Sequence, residues 1–194
     1  FSNMTKFYCF DNLITTLDFT SLINLTTVGC DMNQITNLNI SGLSNLVHLS
    51  CEQNLITSLD LTNKPNLGYI NCLENNLSSL NVSGLYNLSY LRASSNPYPT
   101  LDLTGLENIT SLQCMYTNIS MLDVSNLHNL TTLMCGNNPN LTNIFMKNGI
   151  VESSLNIENV PNLNYICADQ EQLSSLQNHL NFYSNAPNYI LNTY

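Results

Sequence analysis

Apolar residues recur along this chain with a period of 21: Leu25, Leu46, Leu67, Leu88, Ile109 and Leu130 form one column, and Met4 continues it one period earlier. Three residues beyond each anchor stands a second apolar column, Phe7, Val28, Leu49, Ile70, Leu91, Leu112 and Leu133. Five beyond stand Cys9, Cys30, Cys51, Cys72, Ala93, Cys114 and Cys135, and eight beyond stand Asn12, Asn33, Asn54, Asn75, Asn96, Thr117 and Asn138. Ile or Leu follows at ten, as in Ile14, Ile35, Ile56, Leu77 and Ile119. The alternation over the first six residues is that of a short strand with one buried face. A second alternation, seen in Leu59-Asp60-Leu61-Thr62, Leu80-Asn81-Val82-Ser83 and Leu101-Asp102-Leu103-Thr104, predicts a second short strand. Two such pieces and two turns use all 21 residues and leave no room for a helix, so stacked copies predict two parallel sheets around a narrow apolar core. One layer cannot bury its own apolar edges, which is why such units occur in arrays.

The string Leu-x-x-Leu-x-Leu-x-x-Asn-x-Leu, with Cys in the third Leu slot here, resembles the signature of leucine-rich-repeat proteins. The 21-residue length and the Leu-Asp-Leu tail are similar to the short bacterial class of these repeats. Together with Tyr165-Ile166-Cys167-Ala168-Asp169 after the array, the Cys slot resembles secreted repeat proteins of the Bacteroidetes. The resemblance implies a right-handed, mostly β solenoid. It also implies a secreted or bacterial cell-surface protein, whose parent carries a secretion signal and a C-terminal sorting or anchoring segment. It does not name a ligand, because repeats of this kind carry many.

The register slips after Asn138, where Pro139 and Asn140 add one residue and Ile144-Phe145-Met146 takes the place of the second strand. Residues 147–158 read as an insertion that doubles the second strand locally, with Gly149 at a tight turn. Leu163 opens a last repeat containing Ile166 and Cys167. Asp169 with Gln172 three residues later has the form of a capping box, and Leu173, Leu176 and Leu180 lie at helical spacing. The reading is an array of about eight repeats over 1–169 and a cap and tail over 170–194, with a capping helix over 170–183 and an unassigned tail over 185–194. The N-terminus shows no matching cap, and the open strand edge at Met4–Cys9 leads to the expectation of further sequence before Phe1.

Composition narrows the function. Only 9% of the 194 residues are charged and the net charge is −9, with Lys6, Lys64, Arg92 and Lys147 the only cations besides histidine. Four scattered cations make no basic patch, which excludes nucleic acid and disfavours anionic membranes and sulfated glycans. No apolar run is long enough to cross a bilayer, so no membrane insertion is expected.

Six of the seven cysteines share the 21-residue column and point inward. In-register Cβ atoms on neighbouring strands are about 4.7–4.9 Å apart, whereas a disulfide needs about 3.8 Å. No Cys-x-x-Cys spacing occurs, so buried free thiols are favoured over disulfides or a metal. Asp18, Asp60, Asp102 and Asp123 share a column with Asn39, Asn81 and Asn156, and only Asp102 and Asp123 stand next to each other without an intervening Asn. This column reads as a solvated strand face, with calcium at that pair as the alternative. The Asn columns read as turn amides that satisfy backbone groups, so the sequons at Asn24, Asn87 and Asn129 follow from the repeat rather than from glycosylation. His48, His128 and His179 have no partnered nucleophile, no catalytic or metal constellation is present, and no cofactor is implied.

The outward side of the first sheet is read two, four and six residues after each anchor. The first of these columns runs Lys6, Thr27, His48, Tyr69, Tyr90, Ser111, Thr132 and Tyr165. His48, Glu52, Tyr69, Leu73, Tyr90, Arg92, Gln113, Met115 and Tyr116 form the candidate ligand-binding patch, in which Arg92 is the only arginine of the chain. Aromatics, Met and Arg are the types enriched at binding hot spots. The expectation is a monomeric, non-enzymatic extracellular module that binds a host or surface protein, in adhesion or host interaction. A carbohydrate-binding module and a non-binding spacer are the alternatives.

Overall fold

Each 21-residue copy folds into one layer of a stack, and the layers join through parallel strands of three residues. The computed structural model describes residues 3–183 and 190–193, with 181–183 described by backbone alone. In chain order the strands are β1 (Lys6–Tyr8), β2 (Thr16–Asp18), β3 (Thr27–Gly29), β4 (Asn37–Asn39), β5 (His48–Ser50), β6 (Tyr69–Asn71) and β7 (Tyr90–Arg92). They continue as β8 (Ser111–Gln113), β9 (Met121–Asp123), β10 (Thr132–Met134), β11 (Asn143–Phe145), β12 (Ser154–Asn156), β13 (Tyr165–Cys167) and β14 (Ile190–Asn192). A 3-10 turn, Gln170–Gln172, leads into α1, Leu173–Tyr183.

The first sheet has eight strands in the order β1-β3-β5-β6-β7-β8-β10-β12, one per layer. Its register places the second apolar column in line, as in Leu49↔Ile70 and Leu91↔Leu112. The anchors and their partners three residues on are fully buried from Leu25 to Leu133.

The other side of the stack departs from the expected continuous sheet. Among the described residues, strands form there only at the two ends, as β2-β4 and as β14-β13-β11-β9. Through residues 59–61, 80–82 and 101–103 no strand forms. The ladder weakens there for local reasons: the Ser78 amide reaches the Thr57 carbonyl only at 3.5 Å, and Pro99 has no N–H to donate.

The C-terminal end also corrects the sequence reading. Residues 147–158 do not double the second strand. Ser154–Asn156 pairs with Thr132–Met134 and so becomes the eighth strand of the first sheet. Tyr165–Cys167, placed by its sequence in a first-sheet column, pairs instead with Asn143–Phe145 on the other side. One added residue in each of two successive layers explains both shifts: the steps from Met121 to Asn143, from Thr132 to Ser154 and from Asn143 to Tyr165 are 22 rather than 21, and Leu155 and Ile166 stand 22 after Leu133 and Ile144. Asn156 therefore leaves the carboxylate column and lies beside Met134.

The expected capping helix is present, with Leu176 and Leu180 buried against the last layer. The amide of Asp169 donates to Gln172 Oε1 at 2.8 Å, as a capping box requires. Glu152 stands 22 residues after the anchor Leu130, so a carboxylate occupies a leucine position at the capped end. Burial pushes its carboxyl above the ordinary range, and it accepts from Gln172 Nε2 at 2.7 Å. Of the expected tail, residues 185–189 and 194 lie outside the described residues, while Ile190–Asn192 adds to β13.

Two internal ladders hold the layers in register. Asn54 Nδ2 donates to the carbonyls of Cys30, Cys51 and Glu52 at 3.0–3.1 Å, and its Oδ1 accepts from the Ile35 amide at 2.9 Å. Asn33, Asn75 and Asn96 repeat the pattern. These carbonyls lie where the strands have ended, so the side-chain amide takes the place of a ladder donor. Alongside runs the thiol column, with Cys30, Cys51, Cys72, Cys114 and Cys135 buried and free. Burial pushes the Cys72 and Cys114 thiols up to about 12, which keeps them protonated and poorly nucleophilic.

The two ladders break in adjacent layers. Ala93 stands in the Cys column and Thr117 in the Asn column, and there Tyr98 replaces the usual Ile or Leu. Tyr98 is fully buried, and its hydroxyl donates to the Ala93 carbonyl at 3.2 Å. The phenol thus reaches the carbonyl that an Asn at 117 would have served and fills the volume left by the missing thiol. A second exchange is Lys64, which stands in the Leu22, Leu43, Leu85, Leu106 and Leu127 column and is buried. Its ammonium reaches the Thr62 carbonyl at 2.9 Å and the Ser41 carbonyl at 3.4 Å.

Each first-sheet strand is followed by a residue in the left-handed region: Asp11, Met32, Gln53, Glu74, Ser95, Tyr116, Asn137 and Asn159 all have φ between 50° and 57°. That conformation costs a residue with a Cβ about 1–2 kcal/mol, and glycine escapes most of it. Met32 is 45% exposed and contributes little to the core. Met32→Gly is expected to raise stability by about 0.5–1 kcal/mol, after glycine's greater unfolded-state entropy is subtracted. Urea denaturation checks this, and a lower midpoint for the glycine variant would show that the turn is not strained.

Candidate binding face

The sheet register gathers the predicted patch around its central strands. His48, Tyr69 and Tyr90 are direct neighbours on β5, β6 and β7. The His48 and Tyr69 rings stack at 4.0 Å with planes 3° apart, and Tyr90 follows at 6.2 Å, tilted by 38°. Parallel pairing produces this row, because in-register side chains on one face point the same way. Partial burial lowers the His48 imidazole below its ordinary value, and the Asp31 charge opposes that effect.

Arg92 and Gln113 are neighbours on β7 and β8, and Arg92 Nε donates to Gln113 Oε1 at 3.2 Å. Leu73 and Met115 lie just past the strand ends and are half-buried. Tyr116 is separate from the strand rows: it occupies the left-handed turn position and is exposed. Tyr165 is removed from the face altogether and packs against Phe145, at 5.7 Å between ring centroids.

Sequence reasoning missed a polar network beside the stack. Asp31 Oδ1 accepts from the Ser50 hydroxyl at 2.6 Å and from the Glu52 amide at 2.8 Å. Asn71 Nδ2 donates to Glu52 Oε2 and, at 3.3 Å, to Ser50 Oγ. Ser94 repeats the Asp31 role one patch further on, accepting from the Met115 amide at 2.9 Å. The signal was visible as Asp31, Ser50 and Asn71 in the four- and six-residue columns, but only the pairing register shows that they touch. The face thus carries fixed carboxylates toward one end of the aromatic row and a guanidinium toward the other.

Fold and face together can be set against known structures. The functional domain of InlJ from Listeria monocytogenes, described as including a cysteine ladder, matches with 32% sequence identity and a TM-score of 0.79. The fold is a leucine-rich-repeat solenoid. The match covers 87% of this chain and 40% of the InlJ chain, so the chain spans about two fifths of the length of that relative. A leucine-rich-repeat protein of Leptospira interrogans shares the fold at 19% identity and a TM-score of 0.55, covering 85% of this chain and 62% of that one. An internalin, InlF, from L. monocytogenes aligns at 20% identity and a TM-score of 0.49, covering 98% of this chain and 81% of that one. No family model and no curated protein matches the chain. The buried thiol column of this leucine-rich-repeat chain is the feature that the InlJ description also names. Among the described residues no helix is long and apolar enough to cross a membrane.

Proposed function

We propose that the chain is an extracellular protein-binding module, secreted or displayed on a bacterial surface, that engages a host or surface protein through the outward side of the first sheet. The observation that carries this reading is the row His48–Tyr69–Tyr90, held rigid by stacking and flanked by the bonded Arg92–Gln113 pair and the Asp31–Ser50–Glu52–Asn71 network. Side chains already fixed in place lose little entropy on binding, so their contacts appear as affinity. The likeness to the InlJ domain supports the reading. An open, uncovered sheet suits a broad protein surface better than a reaction that must exclude water, and the role is non-enzymatic.

The test uses the biotinylated chain on immobilised host-cell surface proteins. Tyr69→Ala, Tyr90→Ala and Arg92→Ala combined are expected to weaken retention at least a hundredfold, since hot-spot truncations cost about 2 kcal/mol or more each. Unchanged retention by a variant with native circular dichroism would remove this face from the function. The second reading, a glycan ligand, draws on the exposed ring of Tyr90, 48% accessible, which can stack on a sugar. A glycan array separates the two: carbohydrate hits lost in the triple variant, without a protein partner, would favour it.

A further inference from the structure

The flank opposite the binding face carries a cleft of about 330 Å³ between residues 99–104 of one layer and 120–127 of the next. Its floor is apolar, formed by the buried Leu101, Leu103 and Leu127, and the thioether of Met121, 55% exposed, stands at its wall. Asp102 and Asp123 line the same cleft and are both exposed.

Three observations describe what this cleft lacks. First, it lies at an open strand edge. Val124 N–H donates to the Phe145 carbonyl at 2.7 Å. By strand alternation the main-chain groups of Met121 and Asp123 therefore face away from β11, toward residues 99–104. Among the described residues no backbone hydrogen bond joins residues 99–104 to 120–127. Second, the carboxylate column alternates as Asp18, Asn39, Asp60, Asn81, Asp102, and the alternation fails only at Asp123, which leaves two like charges in adjacent layers. One oxygen of each is already engaged locally, Asp102 Oδ1 by the Thr104 amide at 3.0 Å and Asp123 Oδ1 by the Ser125 amide and hydroxyl at 2.9 and 2.6 Å. Third, no lysine or arginine lines the cleft.

We infer that this cleft receives a lysine side chain from an extended segment of a partner protein, its methylene stem on Leu101, Leu103 and Met121 and its ammonium between Asp102 and Asp123. The charge complementarity selects a cation, and the apolar floor selects one with a hydrocarbon stem. A divalent metal fits poorly, because among the described residues no group of three or more His, Cys, Asp or Glu side chains converges. An ammonium has three donors, which match the two carboxylates and a carbonyl of the open edge. The inference is independent of the binding face and occupies the other side of the stack.

The experiment follows the ¹³C methyl resonance of Met121 in the full chain, assigned with Met121→Leu, during titration with N-acetyl-Gly-Lys-Gly-amide. The same peptide with norleucine in place of lysine serves as control. A saturable Met121 shift is expected with the lysine peptide alone, with Kd on the order of 1–10 mM for so small a ligand. Asp123→Asn, which restores the alternation already carried by Asn39 and Asn81 and so preserves the fold, is expected to weaken it at least fivefold. The Tyr69, Tyr90 and Arg92 triple variant is expected to bind as the parent does. The inference is overturned by the absence of a saturable shift, by an equal response to norleucine, or by indifference to Asp123→Asn. Calcium that displaces the peptide below millimolar concentration would assign the cleft to a metal and overturn it as well.

Discussion

Replacing Asn54 with Leu is expected to destabilise the solenoid by about 1–3 kcal/mol, the cost of one buried group left without a partner. The side chain is close in volume and the site is buried, so the loss is one of hydrogen bonds rather than of packing. The Ile35 amide loses the acceptor 2.9 Å away, while the Cys30 carbonyl loses its donor at 3.0 Å but still accepts from Asn33 Nδ2 at 3.2 Å. The Ile35 amide cannot turn to water, because Ile35 is fully covered. The effect spreads to neighbours: Asn54 bridges its own layer and the preceding one, and in a stack each layer depends on the one beside it. Urea denaturation followed by circular dichroism measures the cost. Asn12→Leu is the control, because Asn12 is exposed and bonds only within its own turn. Equal losses at Asn54 and Asn12 would mean that the ladder contributes nothing beyond local turn propensity.

Tyr98→Ala is expected to cost about 3–5 kcal/mol, the range for deleting a large buried ring. The ring sits where the thiol column and the Asn column both lapse, at Ala93 and Thr117. Removing it leaves a void bounded by two small residues, which the rigid stack cannot collapse to fill. Tyr98→Phe keeps the ring and removes the 3.2 Å bond to the Ala93 carbonyl, which still accepts from Asn96 Nδ2 at the same distance. Its expected cost is about 1 kcal/mol. The sharper test is compensation: Ala93→Cys, Thr117→Asn and Tyr98→Leu made together recreate the template pattern across the two layers and are expected to recover most of the stability lost in Tyr98→Ala. A triple variant no more stable than Tyr98→Ala would show that the three positions are not a packed unit.

The layered architecture was legible because its cause is periodic. Columns of Leu, Cys and Asn recur at fixed offsets, and a parallel stack is the arrangement that puts all of them in line. Even the general duty of the Asn column, satisfying backbone groups at the turns, followed from residue type and position, and the layers then fixed which carbonyls it serves. The end of the array was misread for an equally physical reason. The step between layers lengthens from 21 to 22 residues, with one residue added near Pro139 and another between Asn156 and Tyr165, so offsets counted on a 21-residue period assign the later triplets to the wrong side of the stack. Ser154-Leu155-Asn156 and Tyr165-Ile166-Cys167 are both polar-apolar-mixed triplets, and nothing within either says which sheet it joins.

The candidate face divides in the same way. Its rows of His48, Tyr69, Tyr90 and Arg92 could be read from spacing alone. The bonds among Asp31, Ser50, Glu52 and Asn71 could not, since they cross three layers and depend on rotamers. The amino-acid order by itself determined the stack, the inward thiols and amides, the capping helix and the residue types offered on each row, because these follow from periodicity and side-chain chemistry. Tertiary structure alone decided where the second side loses its ladder, which triplet joins which sheet at the C-terminal end, and how Tyr98 and Lys64 fit into columns built for smaller or apolar side chains. Those outcomes are settled by contacts between layers, and contacts between layers have no local signature in the chain.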